Sequence, residues 1–295
     1  QNGTVSGRYG SDAQQLPKPL EEGEDAPVIM KYVNIVRAFL IAGKGRKVID
    51  SDYESLEPHC FASVSGDEGL QEIFNNGWDF YSTVAIKTEK LEGVSADKKA
   101  DNYLKKLDPV KRNKAKAYSL GLAYGMEDYA LAMSLFRDQI FERHLNKPME
   151  DPFPRDGSYG QKGYFNGPRP NKAELNEAKK LMKGYFDGFP ELAEWRERSR
   201  DQVKAEGYIK NYVGRVRHLP RVKKLYSNFG DRLRDWRFRN ELQYNTQIIQ
   251  KANKEGKKPS EIVGGLYRDY RNGLNNCLNF QLQSLAAAVV NRAAL

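Results

Sequence analysis

The sequence predicts a mixed α+β fold in which helices dominate and one small sheet is embedded. Three observations predict it. Residues 96–145, 173–206 and 231–295 repeat their apolar side chains at a helical period. Residues 207–221 (GYIKNYVGRVRHLPR) are punctuated by Gly207, Gly214 and Pro220, which suits a hairpin or turn. With 295 residues, 39% hydrophobic and 29% charged, the chain can bury a sizeable core and has a globular rather than a disordered balance.

Residues 1–30 are polar and turn-rich, with Pro17, Pro19 and Pro27, and are expected as surface loop or edge strand. Residues 31–43 suit a short helix or strand closed by a turn at Gly43 and Gly45, and residues 46–52 (RKVIDSD) a strand. Helical patterning runs in pieces from Glu54 to about Lys90 and strongly over 96–145. Residues 146–172, rich in Pro, Gly and aromatic rings, are expected as a long irregular insertion. Helix returns over 173–206 with Asn171 as its cap, because an Asn side chain can accept from first-turn N–H groups. After the hairpin, helix continues to the end, with interruptions near Gly256–Pro259 and Gly264–Gly265.

Composition removes several classes. No run of about 18 apolar residues occurs, so a transmembrane span is excluded and no membrane partner is expected. Cys60 and Cys277 are the only cysteines, which excludes a disulfide scaffold and fits a reducing compartment. His59, His144 and His218 lack zinc-type spacing. There is neither a Met start nor a signal peptide, and Leu295 falls inside an apolar helical pattern, so both ends are expected to be cuts in a longer polypeptide. A net charge of +9 favours a polyanionic partner, either nucleic acid or an acidic surface.

Two elements carry chemistry. In KRNKAKAYSLGLAYGM, Arg112, Lys116, Leu120 and Tyr124 are each four apart and share one stripe of a helix. Two cations followed by an apolar residue and a ring suit a nucleoside triphosphate lying along that helix, phosphates on the cations and base and sugar on the apolar end. The alternative is a solvated amphipathic helix. In Val48-Ile49-Asp50-Ser51-Asp52-Tyr53-Glu54, a short apolar strand delivers Asp52 at its end. A rigid carboxylate there suits Mg²⁺, and the alternative is a helix-capping Asp.

Together, in this order, these elements resemble the polymerase domain of family A DNA polymerases, the DNA polymerase I group, over nearly the whole chain. Asp52-Tyr53-x3-Glu57, with Ser65-Gly66-Asp67-Glu68 and Asp79 following, is similar to motif A. Arg112 to Gly125 is similar to motif B. Thr4-x2-Gly7-Arg8 with Gln14-Gln15-Leu16-Pro17 resembles the T-x-x-G-R and Q-N-I-P stretches. Tyr185-Phe186-x2-Phe189-Pro190 and Gly207-Tyr208-x5-Gly214-Arg215-x-Arg217 resemble the later fingers segments. Asn279-x3-Gln283, then Ala286-Ala287, resembles the palm helix before motif C.

The resemblance implies a right-hand polymerase palm, a small antiparallel sheet with packed helices, plus helical fingers. Residues 1–78 would be the N-terminal part of the palm, 79–220 the fingers with the 146–172 insertion, and 221–295 the rest of the palm. It implies template-directed nucleotidyl transfer from a dNTP to a primer 3′-OH with two Mg²⁺ ions. Asp52 would bind both ions, helped by the Tyr53 carbonyl. Glu57 would be the steric gate against a ribose 2′-OH. Arg112 and the catalytic Lys116 would grip the triphosphate, with Tyr81 and Leu120 in the same nucleotide site and Tyr124 beside the templating base. Arg8, Asn279 and Gln283 would contact the primer–template minor groove, and Arg215 and Arg217 the template backbone. The implied partners are primer–template DNA, a dNTP, and the remaining polymerase segment or a replication accessory protein. A cytoplasmic setting follows, in a bacterium or a phage-infected host, with an organelle left open.

Three positions depart from the family. Leu120 stands where a Phe or Tyr is usual, which bears on sugar selectivity. Tyr81 replaces a usual His, and Asn275 an Arg. Motif C, with the second metal-binding aspartate, is expected beyond Leu295, and the thumb and any exonuclease before Gln1. The chain taken alone is therefore expected not to polymerise, and robust primer extension by it would refute that. A single-subunit RNA polymerase is the alternative within enzymes, against which Glu57 and Arg8 argue. A non-catalytic DNA-binding part, or half of a split polymerase, is the alternative outside them. The 146–172 stretch suggests a divergent, viral lineage.

The remaining expectations are bland. Residues 204–224 hold seven cations (Lys204, Lys210, Arg215, Arg217, Arg221, Lys223, Lys224) against Glu206, with Tyr208 and Tyr212 interleaved, and suit a template track or a solvated basic face. Lys111 and Lys114 point off the stripe into solvent. His59 and Cys60 pack structurally, as do Trp78, Trp195 and Trp236 in core or half-buried places, and Ala286–Val290 packs tightly.

Overall fold

Several helices of this chain begin where a short polar side chain accepts from an unpaired first-turn N–H. Asp67 accepts from Leu70 at 3.0 Å and Asp79 from Ser82 at 3.0 Å. Asp108 accepts from Lys111 at 3.0 Å, and Pro109 opens the helix it caps. Asn171 and Glu174 form a reciprocal capping box, with Arg143 clamped on the Glu174 carboxylate at 2.7 Å.

The computed structural model describes residues 42–47, 53–145 and 168–293. Within them the elements run α1 (Leu56–Ser65), α2 (Glu68–Asn75), α3 (Phe80–Glu89), α4 (Leu104–Leu107), α5 (Pro109–Ala123), α6 (Asp128–Leu135), α7 (Arg137–Leu145), α8 (Lys172–Gly188) and α9 (Pro190–Glu206). Strands β1 (Tyr208–Lys210) and β2 (Val216–His218) pair antiparallel, with Ile209 opposite Arg217. Then follow α10 (Pro220–Phe229), a 3₁₀ turn (Gly230–Arg234), α11 (Trp236–Leu242), α12 (Thr246–Glu255) and the long α13 (Pro259–Ala293). Among the described residues no helix is long and apolar enough to cross a membrane.

Two packings position the site. Helix α3 lies against α5 and α8, and α6 packs on both α5 and α8. Tyr118 and Tyr185 meet edge-to-face at 6.3 Å in that interior, and burying each ring is worth about 1.5–3 kcal/mol. Helix α13 buries Tyr270, Leu274, Cys277 and Leu278 against α9 and α10, and its later turns touch α1. Gly184 lets α8 approach the end of α3, since a Cβ there would run into the Thr88 backbone carbonyl. Gly184→Ala should cost about 1–3 kcal/mol, read as a lower urea midpoint at unchanged m-value. An unchanged midpoint would show that the two helices can part without penalty.

Several expectations are corrected. Residues 96–103 are irregular rather than helical, with an isolated bridge between Ser95 and Tyr103. The Ser95 hydroxyl accepts from the Asp97 N–H at 3.1 Å and the Asp97 carboxylate from the Lys99 N–H at 2.9 Å, and such local bonds compete with a helix. The 173–206 helix is two helices, broken at Phe189 because Pro190 disfavours helical backbone in the residue before it. The Gly264–Gly265 break does not occur. Both glycines lie inside α13, where burial of Ile262, Val263 and Leu266 outweighs about 1 kcal/mol of propensity per glycine. Arg46 and Lys47 are irregular, not strand. Residues 48–52, 1–41 and 146–167 lie outside the described residues, and so do the expectations placed on them. The expected break at Gly256–Pro259, the hairpin and the Asn171 cap are all observed.

Candidate functional site

Arg112, Lys116 and Leu120 occupy successive turns of α5, and Tyr124 follows at its C-cap. The stripe faces the start of α3. There Asp79 caps the helix and is only 7% exposed. The Arg112 guanidinium grips it with both edges, Nε donating to Oδ2 at 2.7 Å and Nη2 to Oδ1 at 2.9 Å. Burial pushes the Asp79 carboxyl up, but hydrogen bonds from Arg112 and Ser82 outweigh it and hold the group below the usual carboxylate range. Tyr81, two residues on, turns its ring to both cations of the stripe, 5.3 Å from the Arg112 guanidinium and 6.0 Å from the Lys116 ammonium. Burial raises the Tyr81 hydroxyl, with Asp79 and Glu57 adding to it, so the phenol stays protonated at neutral pH. Glu57 stands in the first turn of α1.

The far end of the stripe reaches α1 as well. The Tyr124 ring meets Phe61 at 5.3 Å and 63°. Gly125 follows with φ +99°, where a Cβ would collide with the Asn275 amide of α13. The backbone after the stripe therefore runs directly against α13, and Asn275 is what it touches. A cavity of about 150 Å³ beside Asp79, lined by Glu54, His59, Trp78 and Lys98, is smaller than the ~300 Å³ of a small-molecule site.

A second group forms around the hairpin. The Tyr212 hydroxyl donates to the Val64 carbonyl near the end of α1 at 2.8 Å, and the Asn211 amide donates to Ser284 on α13. This seats the hairpin beside the part of α13 that carries Asn279 and Gln283. The Arg217 guanidinium lies 6.0 Å from the Phe280 ring. The Asn279 Oδ1 is buried with no hydrogen-bond partner. Arg215 is exposed. So α1 joins the two groups, Glu57 at one end and Val64 at the other. Tyr53 is exposed and immediately precedes α1 in the chain; Asp52 and Arg8 lie outside the described residues.

Some expectations fail here. Lys204 leaves the basic track, because it is buried between Asp201 at 3.1 Å and Asp231 at 2.9 Å. Arg221 pairs with Asp269 at 3.1 Å. Lys111 and Lys114 are half-buried and paired with Asp108 and Glu177 rather than solvated. Trp236 is 61% exposed, not core, because short α11 packs through Leu242. Val289 and Val290 are exposed while Ala286 and Ala287 are buried. His59 is exposed and stacks on Phe74 at 3.7 Å. The sequence did not disclose that Arg112 pairs with Asp79; the one signal was Asp79 standing as a cap three residues before Ser82.

Among the described residues no group of three or more His, Cys, Asp or Glu could hold a metal ion. Carboxylate and carbonyl oxygens such as those of Asp52 and Tyr53 are hard donors of the kind Mg²⁺ takes, and Asp52 lies outside the described residues.

Comparison with known proteins finds relatives among DNA polymerases. A family model described as DNA polymerase family A matches residues 1–147. The DNA polymerase of Escherichia phage T5 is 27% identical over 230 residues, which is 74% of this chain and 22% of that protein. The thermostable DNA polymerase I of Thermus aquaticus is 24% identical over 220 residues, 75% of this chain and 20% of that protein. The chain thus spans about a fifth of the length of the curated relatives it matches. The polymerase domain of Pol1 from M. smegmatis, solved in complex with DNA primer-template and dNTP, matches in fold with a TM-score of 0.54 at 22% identity, covering 97% of this chain and 34% of that one.

Proposed function

The chain belongs to the family A DNA polymerases, and from that premise we propose that it forms the nucleotide-binding face and part of the DNA-binding face of a template-directed DNA polymerase. The observation that carries this reading is the α5 stripe. Its two cations share the Tyr81 ring, and its far end reaches the helix that begins just after Asp52.

In this reading Lys116 and Arg112 bind triphosphate oxygens, Leu120 and Tyr124 meet the sugar and base, and Glu57 closes the space where a 2′-OH would project. Asp52 and the Tyr53 carbonyl would hold Mg²⁺, two ions in all. When bound, the metal supplies charge neutralisation of the triphosphate and acidification of the primer hydroxyl. The primer 3′-OH attacks the α-phosphate and pyrophosphate leaves. Lys116 stabilises charge that grows on the phosphates during that step. Arg215, Arg217, Asn279 and Gln283, with Arg8, hold primer–template DNA, largely through its backbone. Residues 1–78 and 221–295 would make the palm and 79–220 the fingers.

The test is the binding of dATP and of primer–template DNA to the chain, with and without Mg²⁺. Mg²⁺ should tighten dATP binding to the wild type. Asp52→Ala should lose that increment and keep its DNA affinity. The reading fails if Asp52→Ala weakens DNA binding while the Mg²⁺ increment persists.

A further inference from the structure

We propose that Asp79 is a positioning residue for nucleotide binding: its carboxylate fixes the Arg112 guanidinium beside Lys116, so that the phosphate-binding cations are set before a nucleotide arrives. The proposal rests on the dNTP reading of α5 and goes beyond it by giving a role to an acid that touches no substrate in that reading.

A carboxylate near a triphosphate site repels phosphate, so its presence needs a reason. As a helix cap alone, Asp79 would need to reach only Ser82, which it does. The bidentate grip on Arg112 is additional, and it spans from α3 to α5. A fork-on-carboxylate contact fixes the guanidinium in plane as well as in place, which a single bond would not do.

Donor arithmetic leaves room for a ligand. An Arg side chain has five N–H donors. Two go to Asp79, so three remain, and phosphate oxygens can take them. The neighbours supply a further reason. Arg112 and Lys116 are like charges at i and i+4, which repel by roughly 0.2–0.5 kcal/mol on a helix. Asp79 offsets one of them, and the Tyr81 ring presents its face to both. Without Asp79, Arg112 keeps only the Tyr81 ring face on α3, which does not fix the guanidinium's orientation as the two-bond grip does.

The sign of one substitution decides the matter. Asp79→Asn keeps a good cap, because Asn caps as well as Asp. It removes a negative charge beside the phosphates. If Asp79 acted only through its field, dATP would bind more tightly. If it positions Arg112, dATP should bind about 5–20-fold more weakly, with DNA affinity unchanged. Arg112→Ala should weaken dATP binding at least as much, and the double variant Asp79→Asn/Arg112→Ala no more than Arg112→Ala alone. Arg112→Lys keeps the charge and loses the fork, so it should mimic Asp79→Asn and serves should that variant not fold. The inference is overturned if Asp79→Asn or Arg112→Lys binds dATP as tightly as wild type or tighter, or if the Asp79 and Arg112 losses add in full. It stands apart from the dNTP reading, which is tested separately by dATP binding to the wild type and to Lys116→Ala and by the Mg²⁺ increment in Asp52→Ala.

Discussion

Lys116→Ala is expected to weaken Mg²⁺-dependent dATP binding by about 10–100-fold, the loss of one charge-assisted contact, while moving folding stability by no more than about 0.5 kcal/mol. The separation of the two effects follows from where the side chain stands. Lys116 is exposed, and its contact within the described residues is the face of the Tyr81 ring, with no acid paired to it. It is therefore available for an anion and little needed by the fold. Lys111 and Lys114 on the same helix provide the internal control. Their charges are already met by Asp108 and Glu177, so alanine at either should leave dATP affinity within about twofold. Titration calorimetry with dATP reads the affinity and a urea transition reads the stability. Equal losses at all three lysines would mean that the helix attracts nucleotide by general charge, and the stripe would have no special role.

Asp79→Ala should be among the most destabilising single changes in the described part of the chain. It leaves the Arg112 guanidinium, whose side chain is 16% exposed, without its partner, which costs about 3–5 kcal/mol for a buried pair. It also strips the cap of α3, about 1 kcal/mol more. The pH dependence carries a definite sign. The folded carboxyl is held below its ordinary value of 3.8, so its contribution is fully present above that value and is lost as pH falls through the folded pKa. The stability gap between wild type and Asp79→Ala should therefore be constant from neutral pH to about 5 and shrink below about 4. Urea midpoints at pH 7, 5 and 3.5 measure it. A gap that stays the same at pH 3.5 would show that the charge of Asp79 is not what the fold uses.

The boundary capped by Asn171 was legible because a cap is a short-range event that needs only Glu174 three residues on. The Asp108 cap was not, because it lies inside the helical pattern over 96–145. The hairpin was legible from glycine and proline at its ends, and the stripe from a spacing of four. Where local rules compete, the same reasoning misjudged the chain. Residues 96–103 carry a helical pattern, yet Ser95 and Asp97 bond to nearby backbone and win. Gly264 and Gly265 carry breaker chemistry, yet their apolar neighbours are buried and the helix continues.

By itself, then, the sequence determined which side chains line up on α5, the Asn171 cap, the hairpin at 207–221, and the family these motifs belong to. Only the tertiary structure decided what that stripe faces. Arg112 meets Asp79 across 33 residues, Tyr81 sits between the two cations, and Lys204 turns inward to two acids while Trp236 turns out. The physical reason is range. Caps, turns and periodicity act over three or four residues, whereas the partner of a charge is chosen when α3 packs on α5, and burial makes that choice costly to leave unmet.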